Sequence, residues 1–213
     1  LNVGFNYSDD TWMFNASLGV TPQKRTIDRK VGKLYADTTM RTIDYQPMIW
    51  LSWRKKKMRV SLNYNGRTRQ PSLSDLMPLT DNSDPLYITR GNPDLKQMFM
   101  HTMHVSFQHP SKGISANLGW QMEKNSVTQV VLYDVQTGGR EIYPININGN
   151  WNTYGSADWW KRFGHFSLKL STSGRHSNRV SMINEDRSQQ PEKSTTRDTG
   201  LNCEMAASYQ PTW

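Results

Sequence analysis

Three histidines at short spacing offer imidazole nitrogens, which are frequent ligands of transition metals. They are His101, His104 and His109. The surrounding segment alternates apolar and polar residues in the manner of a β-strand, whose successive side chains point to opposite faces. His101 and His104 are therefore expected on opposite faces of one strand, where they cannot share an ion. We expect no metal site here, and no cofactor is predicted for the chain.

Two aspartates, Asp81 and Asp84, lie in a long segment without regular patterning and offer oxygen ligands for calcium. The segment lacks the central glycine and the terminal glutamate of an EF-hand loop, so turn formation is the better interpretation. The sequence contains no nucleophile elbow, phosphate-binding loop or paired-cysteine motif. No set of serine, histidine and aspartate stands out, and the chain is predicted not to be an enzyme.

The composition limits the class of protein further. The 213 residues carry a formal charge of +8, but the basic residues form short scattered runs that mark no helix face, so nucleic acid is not expected as a partner. Only 35% of the residues are hydrophobic, yet eight Trp, nine Tyr and six Phe are too many for a disordered chain. A single cysteine, Cys203, excludes an internal disulfide. The few apolar residues must therefore be placed regularly.

That regularity is a period of two, which predicts β-strands. Between Ile114 and Met122 every even-numbered residue is apolar and every odd-numbered residue is small or polar. About nine such strands are predicted, each about 8–11 residues long. A strand that crosses a bilayer at a tilt needs about 9–11 residues, whereas strands of globular proteins average about 5–6. Similar alternation recurs at 1–8, 12–20, 58–65, 99–107, 166–171 and 201–209.

The links between these strands alternate between short and long. Successive antiparallel strands end on opposite sides, so all short links are expected on one side of the sheet and all long links on the other. This is the layout of outer-membrane barrels, with short periplasmic turns and long extracellular loops. The sequence predicts an all-β, antiparallel, up-and-down transmembrane β-barrel. The short links are 8–11, 54–57, 110–113 and 161–164, and the long ones, which are candidate ligand-binding loops, are 21–45, 67–97, 125–146 and 175–198.

Large aromatic residues accompany the short links. Such residues form girdles at the membrane interface, where the ring lies in lipid and the polar edge meets the headgroups. Outer-membrane lipid is therefore the first expected partner. The predicted girdle residues are Trp12, Trp53, Trp159, Trp160 and Tyr209.

The tract 69–97, RQPSLSDLMPLTDNSDPLYITRGNPDLKQ, resembles a motif of TonB-dependent outer-membrane receptors of the branch common among Bacteroidetes. The family pattern is approximately Arg-x-Pro-Ser-x-x-x-Leu, then Asp/Asn-Pro-x-x-Ile-x-x-Gly-Asn-Pro-x-Leu-Lys-Pro-Glu. The chain departs from it at Gln97 and Met98, where Pro-Glu is usual. The matching residues are Arg69, Pro71, Ser72, Leu76, Pro85, Ile88, Gly91, Asn92, Pro93, Leu95 and Lys96.

The resemblance implies a protein of the bacterial outer membrane that takes up a small ligand actively. The family barrel has twenty-two strands, of which this chain would supply about nine. Residues 1–213 are thus expected to be part of a single barrel domain, with the plug domain and amino-terminal regions outside the given sequence. The implied partners are a plug domain, a TonB-type energy transducer and a small ligand, which is a sugar, a peptide or an iron chelate.

Two questions stay open at this point. The tract 69–97 is expected to be an ordered loop, with a Ser or Asp helix cap after Pro71 and a positive φ at Gly91, and it serves either as a clamp on strand register or as a direct ligand contact. The alternatives to a receptor are a complete outer-membrane barrel of about eight strands, acting as an adhesin or pore, and a soluble carbohydrate-binding β-sandwich. The sandwich would pack its apolar side chains between two sheets.

Overall fold

The structure is a computed structural model that describes residues 1–31, 34–184 and 191–210, with the side chains of 27–38 left out. These residues form β-strands, one short α-helix and one 3-10 turn. No helix among them is long and apolar enough to cross a membrane. In chain order the elements are β1 (Asn2–Ser8), β2 (Trp12–Val31), β3 (Leu34–Lys55), β4 (Met58–Arg69), α1 (Leu73–Leu76), β5 (Thr80–Asp84), β6 (Tyr87–Arg90), β7 (Met98–His109), the 3-10 turn (Pro110–Lys112), β8 (Ile114–Lys124), β9 (Ser126–Tyr133), β10 (Arg140–Ile147), β11 (Asn150–Phe163), β12 (Phe166–Ile183) and β13 (Glu192–Tyr209).

Nine strands form one large sheet in the order β1-β2-β3-β4-β7-β8-β11-β12-β13. Every neighbouring pair in it is antiparallel. The predicted all-β, up-and-down arrangement of nine strands is therefore confirmed. The sheet is open, because β1 and β13 each pair on one side only in the part of the chain that the structure describes. A complete barrel of about eight strands does not fit this arrangement.

One face of the large sheet is apolar across all nine strands. Residues opposite one another in the ladder share a face, and Leu118 lies opposite Val105 on one side and Gly155 on the other. No protein layer covers this face within the described residues: Leu118 is 53% exposed and Leu201 is 79% exposed. In water each such side chain would forgo about 1.5–3 kcal/mol of transfer free energy. The soluble sandwich, which requires a second sheet packed on this face, is therefore wrong.

The four short links lie at one end of the sheet, as predicted, and each has its own turn chemistry. In the first, Asp9 Oδ1 accepts hydrogen bonds from the backbone N–H of Thr11 (2.7 Å) and Trp12 (2.6 Å). The Tyr7 hydroxyl and these two N–H groups lower the pKa of the Asp9 carboxyl. In the third, Gly113 has φ +66°, and a Cβ there would lie 1.9 Å from the Trp160 carbonyl oxygen.

Two of the four predicted long loops are strands instead. The hairpin of β2 and β3 contains strands of 20 and 22 residues, and β12 and β13 have 18 residues each. They run through most of 21–45 and 175–198. The alternation that marks a strand ends near Val20, because polar residues occupy both faces of β2 beyond it. Backbone pairing continues there regardless, as between Thr26 and Thr39.

The other two long links, 67–97 and 125–146, fold into a second sheet of order β5-β6-β10-β9. Within it β10 runs parallel to β6 and antiparallel to β9. We call this sheet together with α1 the cap. Its small apolar core contains Leu76, Met77 and Leu95, all buried, with Leu79 and Val127 packed against them. The tract 69–97 is ordered, as predicted, but both links contain strands where loops were expected; among the described residues, the cluster of buried apolar side chains lies in the cap.

A substitution on each face of one strand tests the orientation of the large sheet. Leu118 lies near the middle of β8 on the apolar face, and its neighbour Asn117 pairs with Ser106 and Ser156 on the polar face. Leu118→Arg should cost about 2–4 kcal/mol of membrane folding free energy, because a charge would face lipid near the midplane. Asn117→Arg should be tolerated. The measurement is the folded outer-membrane fraction of each variant, scored by heat-modifiable gel mobility; equal loss in both variants would contradict the assigned faces.

Candidate ligand-binding site

The motif tract begins with a capped turn of helix. Ser72 has an extended backbone, and its hydroxyl oxygen accepts a hydrogen bond from the backbone N–H of Asp75 at 3.1 Å. Ser72 is thus the helix N-cap expected from the sequence. The carbonyl of Pro71 accepts a hydrogen bond from Arg25 Nη1 at 2.9 Å. This bond joins β2 to the tract just before α1.

The Gly-Asn-Pro turn brings α1 against β10. The expectation of a positive φ at Gly91 is wrong, since the positive-φ glycines of the described chain lie elsewhere. Glycine is needed there for a different reason: a Cβ would lie 1.9 Å from the Met77 carbonyl oxygen. The backbone N–H of Asn92 donates to the Asp75 carbonyl (2.6 Å), and Asn92 Nδ2 donates to the Pro144 carbonyl (3.0 Å). The turn therefore ties the two long links together.

Asn146 completes this connection, and the sequence did not single it out. Its Oδ1 accepts from the backbone N–H of Lys96 at 2.7 Å, and its Nδ2 donates to the carbonyls of Lys96 and Asn125, each at 2.9 Å. An amide side chain between Ile145 and Ile147 was the only available signal. These contacts are internal to the protein and support the clamp interpretation of the Gly-Asn-Pro turn. Of the other motif residues, Leu76 and Leu95 lie in the cap core, Pro85 in the β5–β6 turn and Ile88 on β6.

A buried carboxylate, also missed by the sequence analysis, connects β2 and β3 to the two ends of the tract 69–97. Asp44 is 7% exposed. Its Oδ2 accepts from Gln23 Nε2 at 2.7 Å and its Oδ1 from Gln70 Nε2 at 2.5 Å. Gln70 also donates to Gln97 Oε1 at 2.9 Å, so one of the two positions that depart from the family pattern takes part in this network. The amide donors satisfy the carboxylate without a cation.

Beside Asp44 lies a cavity of about 540 Å³ on the polar face of the large sheet. It opens beside a second cavity of about 510 Å³ that reaches the cap residues Ser72 and Val127. The two share several residues, and we call them together the lumenal cleft. Its cationic residues are Arg25, Arg67 and Arg69, and its other wall residues include Gln70, Met98 and Glu123.

Two arginines of the lumenal cleft, Arg67 and Arg69, have no carboxylate partner among its described residues. Asp44 is bonded to amides, and Glu123 Oε2 accepts from the Ser126 hydroxyl at 2.5 Å. Within the described part of the chain, neither Arg67 nor Arg69 forms an ion pair, and both side chains are exposed. Guanidinium groups bind carboxylate and phosphate groups through paired hydrogen bonds. Arg67 and Arg69 are therefore suited to an anionic group of a ligand, while the carboxylates that line the cleft are Asp44, Asp75 and Glu123.

The remaining predicted site residues are spread over the large sheet. Trp12, Trp53, Trp159 and Tyr209 share the apolar face near the short turns, with the rings of Trp12 and Trp53 6.3 Å apart. Trp160 lies on the polar face, because neighbouring strand residues point in opposite directions. A hollow of about 540 Å³ between Trp159 and Met205 belongs to the apolar face and not to the cleft.

The histidines and loop aspartates occupy separate places. His101 lies on the apolar face, where its Nδ1 is 2.9 Å from the Tyr64 hydroxyl, and His104 lies on the polar face. The described residues contain no cluster of three or more His, Cys, Asp or Glu placed to hold a metal ion. Asp81 Oδ1 accepts from the backbone N–H of Ser83 at 3.1 Å, and Asp84 Oδ1 from that of Leu86 at 2.9 Å. Both aspartates thus have the turn role that the sequence indicated.

A model of the outer membrane protein beta-barrel family matches residues 5–210. The chain belongs to this family. The protein is therefore located in the bacterial outer membrane, where lipid covers the apolar face of the large sheet. No curated protein matches the chain. A solved structure similar to it is the siderophore receptor PirA from Pseudomonas aeruginosa, with a TM-score of 0.49 and 12% identity over 99% of this chain. The chain spans 50% of that receptor.

Replacing Gly91 tests the clamp in the cap of this barrel protein. Gly91→Ala should open the cap at a cost of about 1–3 kcal/mol, because the new methyl group overlaps the Met77 carbonyl and forces the backbone apart. The expected result is faster protease cleavage within 67–97 on intact cells, with the barrel still folded. Gly139→Ala is the matched control in the same cap, since its Cβ would meet only the Thr137 side chain within 3.4 Å. Unchanged cleavage in Gly91→Ala would contradict the clamp.

Proposed function

We propose that this chain forms part of the barrel wall and the extracellular loops of a TonB-dependent outer-membrane receptor, of the kind common among Bacteroidetes, that takes up a small ligand actively. The observation that carries the proposal is the place of the motif tract. Residues 69–97, which resemble the receptor motif, fold as an ordered cap on the polar face, beside the arginines of the lumenal cleft. A ligand that enters from the long-loop side meets this cap first.

The open edges of the large sheet favour a wide barrel. Unpaired backbone N–H and C=O groups are not tolerated in hydrocarbon, so further strands must pair with β1 and β13 in the membrane. Nine strands already extend roughly 40 Å across the sheet at about 4.8 Å per strand. An eight-stranded barrel would be closed at this size with its lumen filled by side chains, whereas outer-membrane transporters of twenty-two strands enclose a plug.

The receptor function requires two partners beyond this chain. A plug domain would block the lumen against the polar face, and a TonB-type energy transducer would act on the plug from the short-turn side. This assignment follows from the motif resemblance. It gives the chain no catalytic role, and ligand selectivity would come from the cap and the lumenal cleft.

The cleft narrows the class of ligand. Of the three classes implied by the resemblance, acidic peptides, acidic sugars and those iron chelates that carry carboxylate or phosphate groups suit Arg67 and Arg69. A neutral sugar would leave both guanidinium groups without a charged partner. We therefore propose an anionic ligand.

Energy dependence separates the receptor from a passive pore. Cells that produce the full-length protein are offered a panel of labelled iron chelates, acidic peptides and acidic and neutral oligosaccharides. At least one anionic member should accumulate, and a protonophore or deletion of the energy transducer should abolish that accumulation. Accumulation that continues at the same rate in de-energised cells would identify a pore and exclude the receptor.

Arg67→Gln tests the contribution of the cleft to binding. The affinity for the transported ligand should fall roughly ten- to hundredfold, because a hydrogen bond to a charged group contributes about 1.5–3 kcal/mol. Arg59→Gln is the matched control: Arg59 lies on the same strand and the same polar face, at the short-turn end. Binding to whole cells measures both variants. Equal affinities in the two variants would remove the cleft from the ligand site.

A further inference from the structure

Most of the excess positive charge of the chain lies at the short-turn end of the large sheet. We define the basic rim as the charged residues within three positions of the four turns at 9–11, 56–57, 110–113 and 164–165. It holds eight of the 26 Lys and Arg residues but only two of the 18 Asp and Glu residues, so it carries six of the eight net charges. Five of the cations lie in 54–59, and the other three are Lys112, Lys161 and Arg162.

Both acids of the basic rim, Asp9 and Asp10, lie in the first turn, so the other three turns carry cations alone. All eight cationic side chains are exposed, and in the described parts of the chain none forms an ion pair. One of the two acids, Asp9, is committed to its turn: Oδ2 accepts from the Tyr7 hydroxyl at 2.7 Å, and Oδ1 accepts two backbone hydrogen bonds. Arg162 donates hydrogen bonds to the Gly164 carbonyl and to Gln210 Oε1, and the other seven cations are available to an external anion.

The position of the rim relative to lipid indicates which anion. Lys55 follows Trp53 by two residues and Lys161 follows Trp159 by two, so both lysines point to the apolar, lipid-facing side. Lys161 Nζ lies 5.0 Å from the centroid of the Phe163 ring. Lysine stems run along apolar surface while the ammonium group reaches the polar layer. Both ammonium groups thus lie at the depth of lipid headgroups, just beyond the aromatic residues.

The turns are close enough to act together. Adjacent short turns are separated by two strands, which is about 10 Å across the sheet. The Debye length is about 30 Å at 0.01 M ionic strength, so the potentials of neighbouring turns overlap at low salt, whereas the physiological value of about 8 Å screens most of this overlap. Five cations in the 54–59 turn make the strongest part of this band.

We propose that the basic rim binds the phosphate groups of anionic phospholipids in the periplasmic leaflet, so that these lipids are enriched around the short-turn end of the barrel. Each Lys or Arg near an anionic lipid surface adds favourable electrostatic free energy that salt weakens. The surface is distinct from the lumenal cleft and lies at the opposite end of the strands. It depends on the membrane location and not on the uptake function.

Spin-labelled lipids test the proposal with the full-length protein in phosphatidylcholine vesicles. The measurement is the association constant of phosphatidylglycerol relative to that of phosphatidylcholine at the protein boundary. We expect a preference of about threefold or more at low salt, falling toward one in 0.5 M NaCl because of screening. The rim variant Lys55→Gln, Lys56→Gln, Lys57→Gln, Lys161→Gln should lose most of this preference.

A second variant removes the same number of charges at the other end of the sheet. It carries Lys24→Gln, Arg41→Gln, Lys124→Gln and Arg197→Gln, all exposed residues, and should keep the preference. Heat-modifiable gel mobility shows that both variants are folded. A wild-type protein without preference, a rim variant that keeps it, or equal loss in both variants would each overturn the proposal. The proposal would also be overturned if the rim variant kept its lipid preference but no longer co-sedimented with purified peptidoglycan, since the anionic partner would then be the cell wall.

Discussion

This structure depends on one constraint. One face of the sheet lies against hydrocarbon, so the backbone N–H and C=O groups of its strands must all form hydrogen bonds within the sheet. A lipid-facing strand cannot form backbone hydrogen bonds with water, so every N–H and C=O group must bond to a neighbouring strand. The register of the nine strands meets that demand in the interior of the sheet and keeps one apolar face from β1 to β13. The same demand is unmet at the two outer edges of the described sheet, on β1 and β13.

The wall and the cap are stabilised by different interactions. The wall relies on generic ladder hydrogen bonds and on lipid, and its side-chain bonds are mostly short polar pairs such as Ser61 with Ser106 at 2.6 Å. The cap relies on individual residues: Asn92 and Asn146 hydrogen-bond backbone groups of distant segments, and Gly91 lies where a Cβ would overlap the Met77 carbonyl. Specific recognition is accordingly expected where the structure is specific, at the long-loop end.

The two ends of the barrel wall also differ in their charged residues. At the long-loop end, cations and carboxylates occur together, and the carboxylates of Asp44 and Glu123 are held by neutral donors beside Arg67 and Arg69. At the short-turn end the cations stand almost alone. One sheet therefore presents a cleft of mixed charge at its long-loop end and a diffuse basic surface at its short-turn end.

The sequence by itself determined the nine strands, the position of the short turns and the identity of the lipid face. A period of two reports a difference between the environments of two faces, and that difference is greatest where lipid lies opposite water. It vanishes beyond the membrane, so the extensions of β2, β3, β12 and β13 and the four strands of the cap left no signal, although their backbones pair.

Only the tertiary structure decided the site. Arg25, Asp44, Arg67 and Glu123 are spread over almost 100 positions, and only strand register brings them to one cleft. The sequence also singled out Gly91, but for a positive φ; the close approach of Met77 that makes glycine necessary involves a residue fourteen positions away and is a property of packing. Local patterns record local environment, whereas a cleft is built from contacts between distant segments.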